Sequence, residues 1–194
     1  MKRISISGPV AAGKTTLLGA LLRELGSRAK AHEELPDRNP FIRRYYENSV
    51  RWSFHSQVAF LSMYLDNPDW EKDDRDFYFF DRCLVENLVI AKYRLLQGDL
   101  DEDEFSVLTR LALGMERLMP PIDKYVCLRC SPQLLLAHLR RRGRDYEQSL
   151  DLAYCRQMNR LYEEWYGTLP PDRTLFLSAD EGYSAEEVLS FLES

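Results

Sequence analysis

Residues 8 to 15 read Gly-Pro-Val-Ala-Ala-Gly-Lys-Thr, a match to GxxxxGK[ST] that stands between a β-rich run and a helical one. The run before it is Arg3 to Ser7, and after it Leu17, Leu18, Leu21, Leu22 and Leu25 recur at helical spacing up to Gly26. Strand, glycine loop and helix in this order predict a nest for phosphates. Gly8 and Gly13 free the backbone so that successive N–H groups, including those of Ala11, Ala12 and Thr16, turn toward bound phosphates, and the helix N-terminus adds partial positive charge. Lys14 is then placed to meet the β and γ phosphates of ATP, and the Thr15 hydroxyl to ligate Mg²⁺. The plainer alternative is a glycine-rich turn that only caps a helix, against which the preceding strand and the Lys-Thr pair both weigh.

The rest of the chain repeats the alternation. A second strand is expected over Ala29 to Glu33, a loop at Pro36 to Pro40, helix from about Phe41 and a longer helix near Val50 to Leu65. Phe77 to Phe80, four aromatics in a row, predict a strand buried on both faces with Asp81 at its end. Helices over Leu84 to Leu96 and Glu102 to Met119 are separated at Gly98 and stopped by Pro120 and Pro121. Lys124 to Arg129 is the next strand, Ser131 caps a helix through Leu139, Leu152 to Trp165 is another helix, Leu175 to Leu177 a last strand and Ala185 to Leu192 a closing helix. The pattern predicts an α/β fold of the P-loop kinase kind: about five parallel strands, helices on both faces, and ligands at the carboxyl ends of the strands. No repeat or linker interrupts it, so residues 1 to 194 are expected to form one domain.

Charge and apolar content narrow the partners. A net charge of −5 disfavours a nucleic-acid-binding surface, and 45% hydrophobic residues in 194 supply a sizeable core. No apolar run approaches membrane-span length and none at the start resembles a signal peptide, so no membrane partner and a cytoplasmic location are expected. Cys127 and Cys130 make a CxxC, but residues three apart on a strand face opposite sides; together with Cys83 and Cys155 they read as small core residues.

Several polar groups stand where the fold would bring them to the phosphates. Asp81 ends the aromatic strand, where a carboxylate reaches a loop-bound metal, although it could instead cap the helix near Leu84; Arg82 is beside it. Arg140, Arg141, Arg142 and Arg144 surround Gly143, either as a solvated helix end or as a lid, at about residues 139 to 148, that clamps a transferring phosphoryl group. Glu33 and Glu34 end the second strand beside the loop, where one could accept a proton from an attacking hydroxyl or both could be plain surface. Gln57 lies on a largely apolar helix and needs partners for its amide, which a nucleobase edge would supply.

These residues together resemble the deoxynucleoside kinase family, from the glycine loop through the arginine-rich segment to the helix ending in EEWY. The family's glutamate falls on Glu34, with Asn39 and Pro40 in register, its Asp/Glu-Arg-Ser motif on Asp81, Arg82 and Cys83, and its lid on Arg142, Gly143, Arg144 and Glu147. The resemblance implies ATP as donor and the 5′-hydroxyl of a deoxyribonucleoside as acceptor. It implies Glu34 as base, Arg82 placing that hydroxyl, Lys14, Arg142 and Arg144 stabilising charge, and Thr15 with Asp81 holding Mg²⁺. Tyr46 and Glu147 would grip the 3′-hydroxyl and Gln57 the base, in a homodimer paired through long helices such as those of the Leu84 to Met119 region. Four positions depart: Cys83 replaces a serine, Asn87 a base-reading aspartate, Ala91 a stacking aromatic, and His138 a lid arginine whose task passes to Arg140 or Arg141. Rival readings are a thymidylate or other nucleoside monophosphate kinase, for which Arg43 and Arg44 speak, and a non-catalytic ATP sensor, against which the base Glu34 speaks.

Overall fold

The computed structural model describes residues 1–65 and 74–193. Strands β1 (Lys2–Ser7), β2 (Ala29–His32), β3 (Phe77–Asp81), β4 (Lys124–Arg129) and β5 (Thr174–Ser178) form one sheet in the order β2-β3-β1-β4-β5, every pair parallel. Parallel neighbours demand crossovers, which the helices supply: α1 (Lys14–Leu25), α2 (Ile42–Glu47), α3 (Ser49–Met63), α4 (Asn87–Leu96), α5 (Glu102–Glu116), α6 (Pro132–Arg142), α7 (Leu152–Tyr166) and α8 (Ala185–Glu193). Among the described residues no helix is long and apolar enough to cross a membrane.

β3 explains why both faces are covered. All five of its residues are buried, and its alternation sends Phe77 and Phe79 to one face, with Ile4 and Ile6, and Tyr78 and Phe80 to the other. Leu17, Leu18 and Leu21 of α1, Leu135 and Leu139 of α6 and Val188 and Leu192 of α8 close the first face. Leu61 of α3, Ala91 of α4 and Leu108 and Ala112 of α5 close the second. Each such leucine contributes about 1.5–3 kcal/mol relative to an exposed one. Cys127 and Cys130 do lie on opposite sides, the first against Met158 and Tyr162, the second with Val126 and Leu135 in the other cluster.

Three boundaries moved in ways that matter for the site. β2 stops at His32, paired with Phe80, so Glu33 and Glu34 lie beyond the strand in the run to Pro36. α4 is entered through a 3-10 turn at Leu84–Glu86, which tightens the chain after Arg82. α6, capped by the Ser131 hydroxyl accepting from the Leu134 N–H, continues past Leu139 to Arg142 and ends at Gly143 with φ 67°. Arg140, Arg141 and Arg142 therefore occupy its last turn, where their charge opposes the helix dipole.

Candidate active site

The glycine loop joins β1 to α1 at the carboxyl edge of the sheet. Gly8 (φ 155°) and Gly13 (φ 102°) hold backbone angles that side chains resist, and Ala11 joins them at φ 67°. Space is restricted too, because a Cβ on Gly8 would stand 3.1 Å from the Leu128 carbonyl oxygen. Lys14 folds back over the loop and donates to the carbonyls of Gly8 (2.7 Å) and Pro9 (3.0 Å). Its ammonium is buried; burial first, and then the nearby Arg82 charge, lower its pKa to about 8.

Register delivers the metal-ready pair. Ile6 lies opposite Asp81, so the end of β3 sits beside the loop, and the Thr15 hydroxyl donates to Asp81 Oδ2 at 2.8 Å. Asp81 Oδ1 is buried without a partner, and burial raises this carboxyl's pKa against the pull of Lys14. A hydroxyl and a carboxylate oxygen left unpaired fit a hydrated Mg²⁺, which takes few protein ligands and completes its shell with water and phosphate oxygens.

Arg82 leaves β3 with φ 82°, its N–H bonded to the Ile6 carbonyl (3.0 Å) and its own carbonyl held by the Tyr64 hydroxyl (2.9 Å). Its guanidinium is buried; Nε donates to Glu34 Oε2 at 3.1 Å, and Nη1 to the Tyr162 hydroxyl at 2.7 Å. Burial opposes the charge, but Glu34, Tyr162 and Glu86 outweigh it and hold the pKa well above the usual arginine value. Glu33, by contrast, is exposed. Of the two acids, Glu34 is the one that faces the cavity.

That cavity, about 660 Å³, runs from the loop past Glu34, Asp81 and Arg82 to a pocket walled by Ile42, Tyr45, Tyr46, Gln57, Phe60 and Ile90. Gln57 is 2% exposed with Oε1 unpartnered, a cost to the free protein that a ligand would relieve. From the lid side Arg142 grips the buried Glu147 through Nε (3.0 Å) and Nη2 (2.5 Å) to one carboxylate oxygen, while Arg144 approaches the other at 3.5 Å. Arg141 also lines the cavity.

Three expectations land elsewhere. Asn87 lies in the first turn of α4, its amide donating to the Leu84 carbonyl (3.0 Å) and the Tyr64 hydroxyl (3.4 Å), and it does not line the cavity. Ala91 packs in the core with Leu61 and Tyr78, so Ile90 is the residue α4 presents. Arg140 turns away to the Gln148 and Leu150 carbonyls, which leaves Arg141 as the spare lid arginine. Other residues were missed: Tyr162 and the fully buried Glu86, discussed below; Tyr183, whose hydroxyl lies beside Gly13; and His138, whose Nδ1 meets the Ala11 carbonyl at 2.9 Å. Glu86 alone carried a legible signal, a lone acid inside Leu84–Ile90.

A phosphate-cradling loop, a hydroxyl–carboxylate pair beside it, and an ion-paired carboxylate facing a deep cavity define a P-loop phosphotransferase with its own acceptor site. The model of the deoxynucleoside kinases matches residues 4–190, and the chain belongs to that family. It is 28% identical over 165 residues to the deoxyadenosine/deoxycytidine kinase of Bacillus subtilis (strain 168), covering 84% of this chain and 75% of that one. It is also 28% identical over 207 residues to a deoxyguanosine kinase of Lactobacillus johnsonii, with 98% and 90% covered. The structure of deoxyadenosine kinase from M. mycoides with bound dATP superposes on all of both chains with a TM-score of 0.85 at 23% identity, a likeness of fold. The enzyme phosphorylates deoxynucleosides with ATP, and neither the monophosphate-kinase nor the sensor reading survives.

Proposed function

We propose that Glu34 is the general base that takes the proton of the nucleoside 5′-hydroxyl, whose oxygen then attacks the γ-phosphorus of ATP in line and releases ADP. The carrying observation is the Arg82–Glu34 pair at 3.1 Å, which orients a carboxylate toward the cavity that begins at the glycine loop. Ala11, Ala12, Gly13, Lys14, Thr15 and Thr16 hold the triphosphate on a loop whose first turn Gly8 makes, and Lys14, Arg142 and Arg144 balance its charge as it shifts toward the leaving oxygen. Mg²⁺ held by Thr15 and Asp81 would supply further neutralisation of the phosphate oxygens. Tyr46 and Glu147 grip the 3′-hydroxyl. Both line the cavity, Glu147 buried and Tyr46 partly buried, which supports this role.

Gln57 is left as the reader of the base once Asn87 is withdrawn. By rotating, a carboxamide offers donor and acceptor in either order, so the pocket accepts more than one base, and relatives named deoxyguanosine and deoxyadenosine kinases favour purines among them. We read residues 1 to 194 as one catalytic domain with its lid at about 139 to 148, a cytoplasmic enzyme serving nucleotide salvage. Exposed Val107 and Leu111 on α5 and Leu118 just past its end, spaced to share one side, support a homodimer through that face.

Assayed with ATP and Mg²⁺ against each of the four deoxynucleosides, the wild type is expected to phosphorylate several, purines fastest. Glu34→Gln keeps ATP affinity and loses on the order of 10²-fold or more in turnover on all of them. Unchanged turnover would remove Glu34 from the mechanism.

A further inference from the structure

Behind Arg82 the protein buries an acid and a phenol that the reaction does not touch. Glu86 is fully buried, and its Oε1 accepts from the Gly8 N–H (3.0 Å) and from the Tyr162 hydroxyl (2.8 Å). Tyr162, 1% exposed, in turn accepts from Arg82 Nη1 at 2.7 Å. Donor and acceptor roles are fixed here, because a guanidinium only donates, so the single phenolic proton must point at Glu86. The result is a one-way chain: Arg82 to Tyr162 to Glu86, with Gly8 closing it from the other side. Arg82 Nη1 also stands 3.7 Å from Glu86 Oε1, just outside direct bonding.

We propose that Tyr162 and Glu86 are positioning residues that tie the first glycine of the phosphate loop to the guanidinium orienting Glu34, so that one buried carboxylate sets donor and acceptor sites in register. The proposal rests on Glu34 acting as the base. Its logic is geometric. With the Tyr162 hydroxyl in place, Nη1 is held off Glu86 and Nε stays on Glu34. Without it, Nη1 loses its hydrogen bond while the Glu86 carboxylate stands 3.7 Å away, and closing that gap draws Nε away from Glu34. The left-handed backbone of Arg82, pinned through the Ile6 carbonyl and the Tyr64 hydroxyl, leaves the side chain to make this adjustment. Glu86 Oε1 loses the Tyr162 donor in the same change, which makes the rearrangement favourable for the acid as well. Burial raises the Glu86 pKa, and Arg82, Lys14, Gly8 and Tyr162 offset part of that rise.

The test is a double-mutant cycle on turnover. Tyr162→Phe is expected to lower kcat on the order of 10-fold with KM for both substrates within about threefold, and to cost no more than about a further twofold once Glu34 is already Gln. Tyr166→Phe, which removes another buried hydroxyl one turn along α7, bonded to the Leu128 carbonyl, keeps wild-type kcat. Effects of Tyr162→Phe and Glu34→Gln that simply multiply, an unchanged kcat, or an equal loss in Tyr166→Phe would each overturn the proposal. Should Tyr162→Phe fail to fold, Glu86→Gln takes its place in the cycle under the same criteria. An inactive Glu34→Gln beside an indifferent Tyr162→Phe would refute this inference alone, whereas an active Glu34→Gln would refute the base assignment.

Discussion

The two halves of the site are built in opposite ways. The donor half is one contiguous segment, residues 8 to 16, whose working groups are mostly backbone N–H, with one ammonium folded over them. The acceptor half gathers side chains from beyond β2, from α2 and α3, from the end of β3, from α4 and from the lid. Each half buries a cation, and the two are shifted in opposite directions. Lys14, bonded only to carbonyls, falls to about 8, while Arg82, facing Glu34 and Glu86, is held well above its usual value. The donor half thus keeps a charge waiting for phosphate, and the acceptor half arrives already neutralised.

If the donor half works through backbone shape, the largest loss should follow a substitution that adds no polarity. Gly8→Ala places a methyl 3.1 Å from the Leu128 carbonyl oxygen and 3.2 Å from its Cβ at a φ of 155°, so the loop must shift. A strain on the order of 1–3 kcal/mol, together with misaligned N–H groups, is expected to weaken ATP binding and turnover on the order of 10²-fold or more. Deoxynucleoside affinity, measured calorimetrically without ATP, should stay within a few fold. A parallel loss of both would erase the division between the halves.

The same division decided what could be read from sequence. A contiguous loop between strand and helix leaves its signature in eight consecutive letters, and the strands Phe77–Asp81 and Lys124–Arg129 announce themselves by an aromatic run and by a short apolar run after Pro120 and Pro121. Glu34 was legible as one of two acids at a strand end and Gln57 as an amide on an apolar helix, whereas Tyr46 came only from the family pattern, which supplies positions but not directions. Direction is where reading failed. Asn87 and Ala91 lie on the correct helix but face the 3-10 turn and the core, because the entry at Leu84–Glu86 sets the helix's rotation and no periodicity shows that. Arg140 belongs to the lid by sequence and to the Gln148–Leu150 segment by contact. Glu86 stands out only as a lone acid in an apolar run, and its pairing with Tyr162, 76 residues away through one hydrogen bond, is invisible until the sheet brings β1, α4 and α7 together.

The contrast between the two cations gives the next effect. Lys14 has a folded pKa of about 8 against 10.5 in the unfolded chain, and at 7% exposure it is little screened. Below pH 8 both states hold the proton and stability is indifferent to pH at this group. Above pH 8 the folded state releases it first, so stability rises with pH until about 10.5, by up to about 3 kcal/mol. Buried tyrosines such as Tyr64 and Tyr162, raised by burial, act oppositely above their unfolded pKa of 10.0 and do so in any variant. Denaturant titration of the nucleotide-free protein at pH 7 and pH 10 should therefore show wild type gaining on Lys14→Met by that margin. An equal pH response in the two proteins would mean that the ammonium is solvated and the donor half holds no waiting charge.

Gln57 provides the smallest and sharpest test, because there the acceptor half resembles the donor half: a buried polar atom, Oε1, left without a partner in the free protein. Replacing it with leucine, of similar volume, removes an unpaired buried acceptor, worth about 1–3 kcal/mol, in a wall already shared with Phe60 and Ile42. The free enzyme is expected to become more stable by about 1 kcal/mol, read as a higher midpoint in urea, while kcat/KM for deoxynucleosides falls about 10-fold or more because the base edge loses its partner. The two signs must appear together. A variant that lost stability as well as activity would show that the amide is bonded within the protein, and base reading would have to pass to another group on the pocket wall. A variant that gained stability with its nucleoside preferences intact would show that the pocket selects by shape alone, through Phe60, Ile90 and Tyr45.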